Sequence, residues 1–181
     1  MKRFIRICFK LVGWKIDKTS PVGIDKCVVI MGPHTSNWDF VLGKMAFMSY
    51  GLKAKYLVKK SAFFFPFGPI LKRMGGIPVD RSKKNNITRL AVDLFNESEQ
   101  LYLVFTPEGT RSYNSNWKKG FYFIALEAKV PIFIAYADYK SKTGGFHGVF
   151  HPTGDVDKDI LELKMILSQY TARFPEQGIH V

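Results

Sequence analysis

The sequence predicts a single α/β domain with a mostly parallel central sheet, flanked by helices and preceded by an amphipathic helix. Apolar runs of strand length alternate with segments whose apolar residues recur at three- and four-residue spacing, an alternation typical of β-α-β units. The 181 residues are enough to bury one core. Because no repeat or low-complexity linker divides the chain, we expect residues 1–181 to form one domain.

The predicted amphipathic helix covers residues 2–16. Its cations fall on one side of a helical wheel, and apolar residues cover the remainder. This pattern is typical of a helix lying in the headgroup region of a membrane, but a helix packed on the protein core shows it too. We predict an interfacial helix and linker over residues 1–20. The cations of the stripe are Lys2, Arg3, Arg6 and Lys10.

The α/β core is predicted over residues 27–151, followed by a C-terminal helix over residues 155–173. Two prolines argue against one straight helix over residues 62–70, and a Gly-Gly pair predicts a polar loop over residues 140–145. Apolar runs predict strands over residues 27–31, 54–58, 77–79, 101–105, 132–136 and 146–151. Helical spacing predicts helices over residues 40–50, 86–98 and 118–129.

The first core strand runs into a turn that carries a histidine and a carboxylate. Ser36 and Asp39 form a Ser-x-x-Asp capping sequence. A helix that starts near Ser36 leaves His34 in the preceding loop and folds Asp39 back over the first turn. A histidine held by a carboxylate can act as a general base, although taken alone the two residues also fit a loop histidine and a helix cap.

Polar residues follow three predicted strands at the point where each strand ends. His34 with Asp39 follows the first strand, Arg81 the third, and Glu108 with Arg111 the fourth. Ligands bind outside the carboxyl ends of the strands in open α/β sheets, so we expect these side chains to share one cleft. Arginine binds phosphate through two parallel hydrogen bonds. The set therefore suits proton transfer from an alcohol that carries a phosphate.

The charge balance predicts an anionic partner. Lysine and arginine total 27 against 15 acidic residues, a formal net charge of +12, which suits a membrane, a nucleic acid or a phosphorylated substrate. Cys8 and Cys27 form no CxxC pair, so neither a disulfide framework nor a zinc site is expected. No uncharged apolar run reaches the roughly 20 residues that cross a bilayer. We expect a cytoplasmic protein.

Four sequence blocks occur in an order that is more specific than any one of them. Residues 34–39 read His-x4-Asp, and residues 76–81 form a glycine turn and short apolar run that ends in arginine. Residues 105–112 contain Pro-Glu-Gly-Thr-Arg, and residues 130–132 read Val-Pro-Ile. Together they resemble the blocks of the glycerolipid acyltransferases, the family that includes 1-acyl-glycerol-3-phosphate (lysophosphatidate) acyltransferase.

The resemblance implies transfer of a fatty acyl group from an acyl thioester to the hydroxyl of a lysophospholipid-type acceptor, foremost 1-acyl-glycerol-3-phosphate. The donor is acyl coenzyme A or acyl carrier protein, and no metal or further cofactor is expected. His34 would be the general base and Asp39 would orient it, with backbone amides near the His34 turn as candidate oxyanion donors. Substrate contacts are implied for Arg81, Glu108, Gly109, Thr110 and Arg111.

A group of phenylalanines lies just before the second block. These rings suit an acyl-chain wall or a contact with lipid, and equally ordinary core packing. With the basic N-terminal helix they predict peripheral association with the inner face of the membrane. The expected partners are an anionic membrane surface, the lysophospholipid and the acyl thioester, without nucleic acid. The phenylalanines are Phe63, Phe64, Phe65 and Phe67.

Three other functions fit parts of the sequence. An acyltransferase of this kind can act on a lipid without phosphate, such as an aminoacyl lipid. The net charge also suits a basic module that binds nucleic acid or membrane without catalysis. A thioesterase or lipase would use the same donors, but the chain lacks the Gly-x-Ser-x-Gly elbow of serine hydrolases.

Overall fold

The computed structural model describes residues 2–19, 23–80 and 84–181, which form a single α/β domain around a seven-stranded sheet. The strands are β1 (Lys15–Ile16), β2 (Lys26–Gly32), β3 (Ala54–Lys59), β4 (Gly76–Val79), β5 (Leu101–Phe105), β6 (Ile132–Asp138) and β7 (Thr143–Phe150). Their order across the sheet is β1-β7-β6-β2-β5-β3-β4. The strands from β6 to β4 in this order are parallel, while β7 runs antiparallel to β6 and β1 parallel to β7. The predicted mostly parallel sheet is confirmed.

Helices cover both faces of this sheet. They are α1 (Lys2–Leu11), α2 (Asn37–Tyr50), α3 (Phe67–Arg73), α4 (Lys84–Glu97), α5 (Gly120–Glu127) and α6 (Val156–Leu167). Alternate residues of a strand point to opposite faces: Val28 and Ile30 of β2 face α4, α5 and α6, whereas Val29 and Met31 face α1 and α2. Within the described ranges, none of these helices combines the length and apolar character needed to span a bilayer.

The N-terminal helix is shorter than predicted, and the chain after it joins the sheet. α1 ends at Leu11, and residues 15–16 pair with β7. The helical prediction up to residue 16 is wrong at its end because Gly13 takes a positive φ of 76° that turns the chain out of the helix.

The Gly-Gly pair that predicted a loop lies inside β7 instead. A β-carbon added to Gly145 would lie 2.4 Å from Cβ of Asp17, so a residue with a side chain would push the segment after β1 away from the sheet. The glycine marks a close approach between two segments rather than a turn.

The last helix begins where predicted but ends early. Asp155 caps α6 by accepting a hydrogen bond from the Lys158 amide, and the helix stops at Leu167 rather than near residue 173. The chain then turns back to the carboxyl end of β6, where Thr171 O accepts from the Tyr139 amide at 2.9 Å. This long-range pairing competes with further helix, and it brings the C-terminal segment over the strand ends.

Candidate active site

The strand order creates a crevice at the carboxyl ends of β2 and β5. These strands are neighbours, yet β2 continues into α2 on one face of the sheet and β5 leads to α5 on the other face. Two loops that leave adjacent strands toward opposite faces open a gap between them, which is where ligands bind in such sheets. The His34 loop forms one side of this gap, and the loop that follows β5 forms the other.

The start of α2 brings His34 and Asp39 together as predicted. Ser36 is the N-cap in a reciprocal capping box with Asp39 at the third helical position. Oδ2 of Asp39 accepts hydrogen bonds from the amides of Thr35 and Ser36, each at 2.8 Å, and lies 3.2 Å from Nδ1 of His34. The Asp39 side chain is fully buried, and that of His34 is 16% exposed.

Asp39 remains ionised despite its burial. Burial opposes the charge, but hydrogen bonds from His34, Tyr139 and Ser36 outweigh it and hold the pKa of Asp39 below its usual value. An ionised carboxylate beside Nδ1 favours the tautomer with the proton on that atom. Nε2 of His34 then keeps its lone pair, as a general base requires.

Glu108 contacts the backbone of the His34 loop. Both of its carboxyl oxygens lie within hydrogen-bond distance of the His34 amide, at 3.0 and 3.1 Å, and only 3% of the residue is exposed. Burial raises the pKa of Glu108 to about 7, although the His34 amide partly opposes this. Glu108 connects the loop after β5 to the loop after β2, so the two sides of the crevice keep a fixed position relative to each other.

The backbone amides nearest to His34 are already engaged. The amide of His34 donates to Glu108, and those of Thr35 and Ser36 donate to Asp39. Each of these amides could donate to an oxyanion only by losing its hydrogen bond to a buried carboxylate, which would leave that carboxylate less well satisfied. These contacts argue against the three amides as oxyanion donors, and the identity of the donors stays a prediction.

An open cleft of about 410 Å³ lies against His34. The loop after β5 forms the rest of its wall, with Gly109 in the left-handed region at φ 67°. Ion pairs within the described ranges join His34 to Asp39 and Lys119 to Asp157, so the Arg111 guanidinium is not neutralised there by a carboxylate. The residues that line the cleft are His34, Thr106, Gly109, Thr110, Arg111 and Ser112.

The remaining predicted site residues are Arg81 and the phenylalanine group. Arg81 falls outside the described residues, so its place in the cleft stays a prediction. Phe63 is partly buried and packs against the backbone of Gly76. The remaining rings of the phenylalanine group, Phe64, Phe65 and Phe67, are exposed. These three are surface residues and do not pack in the core.

Tyr139 is a site residue that the sequence motifs do not contain. Its hydroxyl donates to Oδ1 of Asp39 at 2.6 Å. The residue directly follows β6, so the rule that polar side chains gather at the carboxyl ends of parallel strands could have found it. Thr106 and Ser112 were missed as cleft residues for a different reason, since small hydroxyl side chains in a loop carry no pattern of their own.

We predict that Glu108→Gln changes how stability depends on pH. The folded pKa of about 7 lies above the ordinary value of 4.5, so in the parent the unfolded chain loses this proton first as pH rises. The protonated Glu108 carboxyl contributes about 3 kcal/mol to the free energy of unfolding. This contribution is fully present below pH 4.5 and is lost as pH rises through 7. Gln cannot ionise, so the unfolding free energy of the variant relative to the parent should rise by up to this amount over that interval.

Urea denaturation at several pH values measures this difference. Glu127→Gln, at the exposed end of α5, controls for removing a surface carboxylate. A difference between Glu108→Gln and parent that stays constant from pH 4 to pH 8 would contradict the assignment.

Comparisons with known proteins identify the family of this chain and a similar fold. The family model described as Acyltransferase matches residues 15–136, well over half of the chain. Among solved structures, the fold is similar to the crystal structure of the 1-acyl-sn-glycerophosphate (LPA) acyltransferase, PlsC, from Thermotoga maritima. The TM-score is 0.64 at 16% sequence identity, and the alignment covers 93% of this chain and 75% of that chain. A search of curated proteins found no significant match.

The matched segment contains the His34 loop, the loop after β5 and most of β6. It therefore includes all four sequence blocks from which the family was predicted. The chain belongs to the acyltransferase family.

Proposed function

We propose that this acyltransferase moves a fatty acyl group from an acyl thioester to the hydroxyl of a lysophosphatidate-type acceptor at a membrane surface. The observation that carries the proposal is the cleft shared by His34 and Arg111. A general base and a fixed cation in one cleft suit an acceptor that carries both a hydroxyl and a phosphate.

In the proposed reaction His34 Nε2 takes the proton of the acceptor hydroxyl as its oxygen attacks the thioester carbonyl. Asp39 stays ionised and stabilises the imidazolium that forms. The tetrahedral intermediate then expels the thiolate, which receives the proton from His34. Thiolates are good leaving groups because thiol pKa values lie near about 8.5. Direct transfer in a ternary complex therefore needs no acyl-enzyme.

The loop after β5 supplies the proposed phosphate contacts. Arg111 provides a cation, and the hydroxyl groups of Thr106, Thr110 and Ser112 line the same cleft. Hydroxyl donors combined with arginine are common partners of phosphate oxygens. The donor in this proposal is acyl coenzyme A or acyl carrier protein, and the step uses no further cofactor.

The helices on one face of the sheet supply the proposed membrane contact. α1 packs against α2 and exposes Phe4, Ile7 and Leu11 beside its basic residues. α3 lies on the other side of α2, where Lys44 Nζ donates to Met74 O, and Phe65 just before it is 88% exposed. Exposed rings and cations on neighbouring helices suit peripheral binding to an anionic leaflet, which we place at the inner face of the membrane.

We predict that His34→Ala abolishes acyl transfer while the fold is kept. Loss of the general base should lower kcat by at least about 100-fold. The assay follows diacylated product formed from acyl coenzyme A and lysophosphatidate in anionic vesicles. His151→Ala, an exposed histidine beyond β7, is the matched control and should behave as the parent. Transfer at the parental rate by folded His34→Ala would refute the mechanism.

We predict that Arg111→Gln weakens binding of the acceptor only where the acceptor carries a phosphate. KM for lysophosphatidate should rise about tenfold or more, because a charge-assisted contact is lost, while KM for monoacylglycerol stays the same. Arg89→Gln on the exposed side of α4 controls for the change in net charge. An unchanged KM for lysophosphatidate would exclude the phosphate assignment and favour an acceptor such as an aminoacyl lipid.

We predict that Phe65→Ser weakens binding to anionic vesicles by about tenfold, since one fully inserted aromatic ring is worth roughly 1.5–3 kcal/mol. Phe123→Ser is the matched control, because this ring is also exposed but lies on α5 at the opposite face of the sheet. Vesicle co-sedimentation measures both. Equal binding by the two variants would argue against the assigned membrane face.

A further inference from the structure

The geometry points to Tyr139 as a positioning residue of the reaction, one that holds Asp39 in the orientation in which it supports His34. This inference rests on the proposed function. Tyr139 does not reach the cleft lining, so its effect on the reaction passes through Asp39.

The two oxygens of Asp39 have separate partners. Oδ2 accepts from the amides of Thr35 and Ser36 and faces Nδ1 of His34, whereas Oδ1 accepts from the Tyr139 hydroxyl at 2.6 Å. The contacts at Oδ2 fix one end of the carboxylate, and a single pinned oxygen still allows the group to rotate. The bond from Tyr139 removes that freedom and aligns the carboxylate plane with the imidazole.

Tyr139 is itself held by two other segments, the residues just before β1 and the chain after α6. Its amide donates to Thr171 O at 2.9 Å. Its ring meets the edge of Trp14 at 5.0 Å and 89°. The Arg173 guanidinium acts on its hydroxyl through charge. A side chain fixed at its backbone and at its ring presents its donor in one place.

The charged groups around Asp39 keep this hydroxyl in its donor form. Asp39 is faced by His34 from the preceding loop, by Glu108 from the loop after β5, and by Tyr139 with Arg173 behind it. Burial and the bond to Asp39 raise the pKa of Tyr139 above its usual value, against the opposing effect of Arg173. The phenol is therefore protonated around neutral pH, where Asp39 is charged.

Tyr139 and the residues that hold it lie outside the segment that the family model matches. The family model matches residues 15–136, whereas Trp14, Tyr139 and Arg173 fall before or after it. The motifs thus supply His34 and Asp39, and the flanking parts of this chain supply the group that fixes their geometry.

The test compares Tyr139→Phe with the parent in acyl transfer and in titration of Asp39. We expect kcat to fall about tenfold with KM for donor and acceptor unchanged. Asp39 loses a donor that favours its charged form, so we also expect the pKa of its carboxyl group to rise. Carbon-13 NMR of the Asp39 carboxyl should show the same upward movement of its pKa without requiring any turnover.

Tyr136→Phe is the matched control. Its hydroxyl also donates to an aspartate oxygen, that of the half-buried Asp17, at 2.6 Å, and it lies on β6, three residues before Tyr139. Tyr136→Phe should leave kcat and the Asp39 titration at parental values. Arg173→Gln, a surface change that keeps the phenol, should raise the pKa of the Asp39 carboxyl group by a smaller amount.

The two hypotheses fail in different ways. If the parent transfers no acyl group, the proposed function is wrong, yet the NMR titration still tests whether Tyr139 supports Asp39. If the parent is active and Tyr139→Phe keeps both parental kcat and the parental Asp39 titration, the positioning role is overturned. Circular dichroism shows whether the Tyr→Phe variants are folded. If neither is, the Asp39 pKa in Arg173→Gln is the deciding measurement, and a parental value there would overturn the positioning role.

Discussion

The burial of Asp39 is the constraint on which the site depends. A fully buried carboxylate is stable as an ion only where several donors face it, and here they come from the amides of Thr35 and Ser36, the His34 ring and the Tyr139 hydroxyl. These donors come from the loop after β2 and from the segment after β6, while Asp39 itself lies in the first turn of α2. The need to satisfy one charge therefore brings together parts of the chain that are about 100 residues apart.

Two buried carboxyl groups contact the His34 loop, and their surroundings push their pKa values in opposite directions. Asp39 accepts separate hydrogen bonds on each oxygen and its pKa is lowered, whereas the two oxygens of Glu108 share the His34 amide and its pKa is raised to about 7. Separation of neighbouring pKa values is how a site keeps one group charged and another neutral. Asp39 suits the support of an imidazolium, and Glu108 suits a tether that adds little negative charge.

The parts of the site that the sequence predicted are those set by local signals. The capping pattern that ends in Asp39 determines where α2 begins, and the strand-end rule brings His34 and Arg111 to the same cleft. Glu108 lies near the same place, but its partner, the His34 amide, belongs to a loop 74 residues earlier in the chain. A backbone partner leaves no trace in the sequence, so this role could not be predicted.

The errors in the fold prediction have the same origin. The C-terminal helix ends early because Thr171 pairs with the chain at Tyr139. The glycine end of the predicted loop belongs to β7 because Asp17 packs against Gly145. Helical spacing and glycine content report on the nearest few residues. Contacts between distant segments decide the outcome wherever they replace local hydrogen bonds or leave no room for a side chain.

The first turn of α2 places two very different side chains next to each other. Trp38 is 56% exposed, while Asp39, the following residue, is fully buried. Under the proposed membrane association, the turn that carries the catalytic carboxylate would also meet the lipid surface. The acceptor then reaches His34 by lateral diffusion in the bilayer. How often it meets His34 depends on the number of acceptor molecules per unit area of membrane. Turnover would follow the mole fraction of acceptor among the lipids and would be lowered by inert lipid at constant bulk concentration.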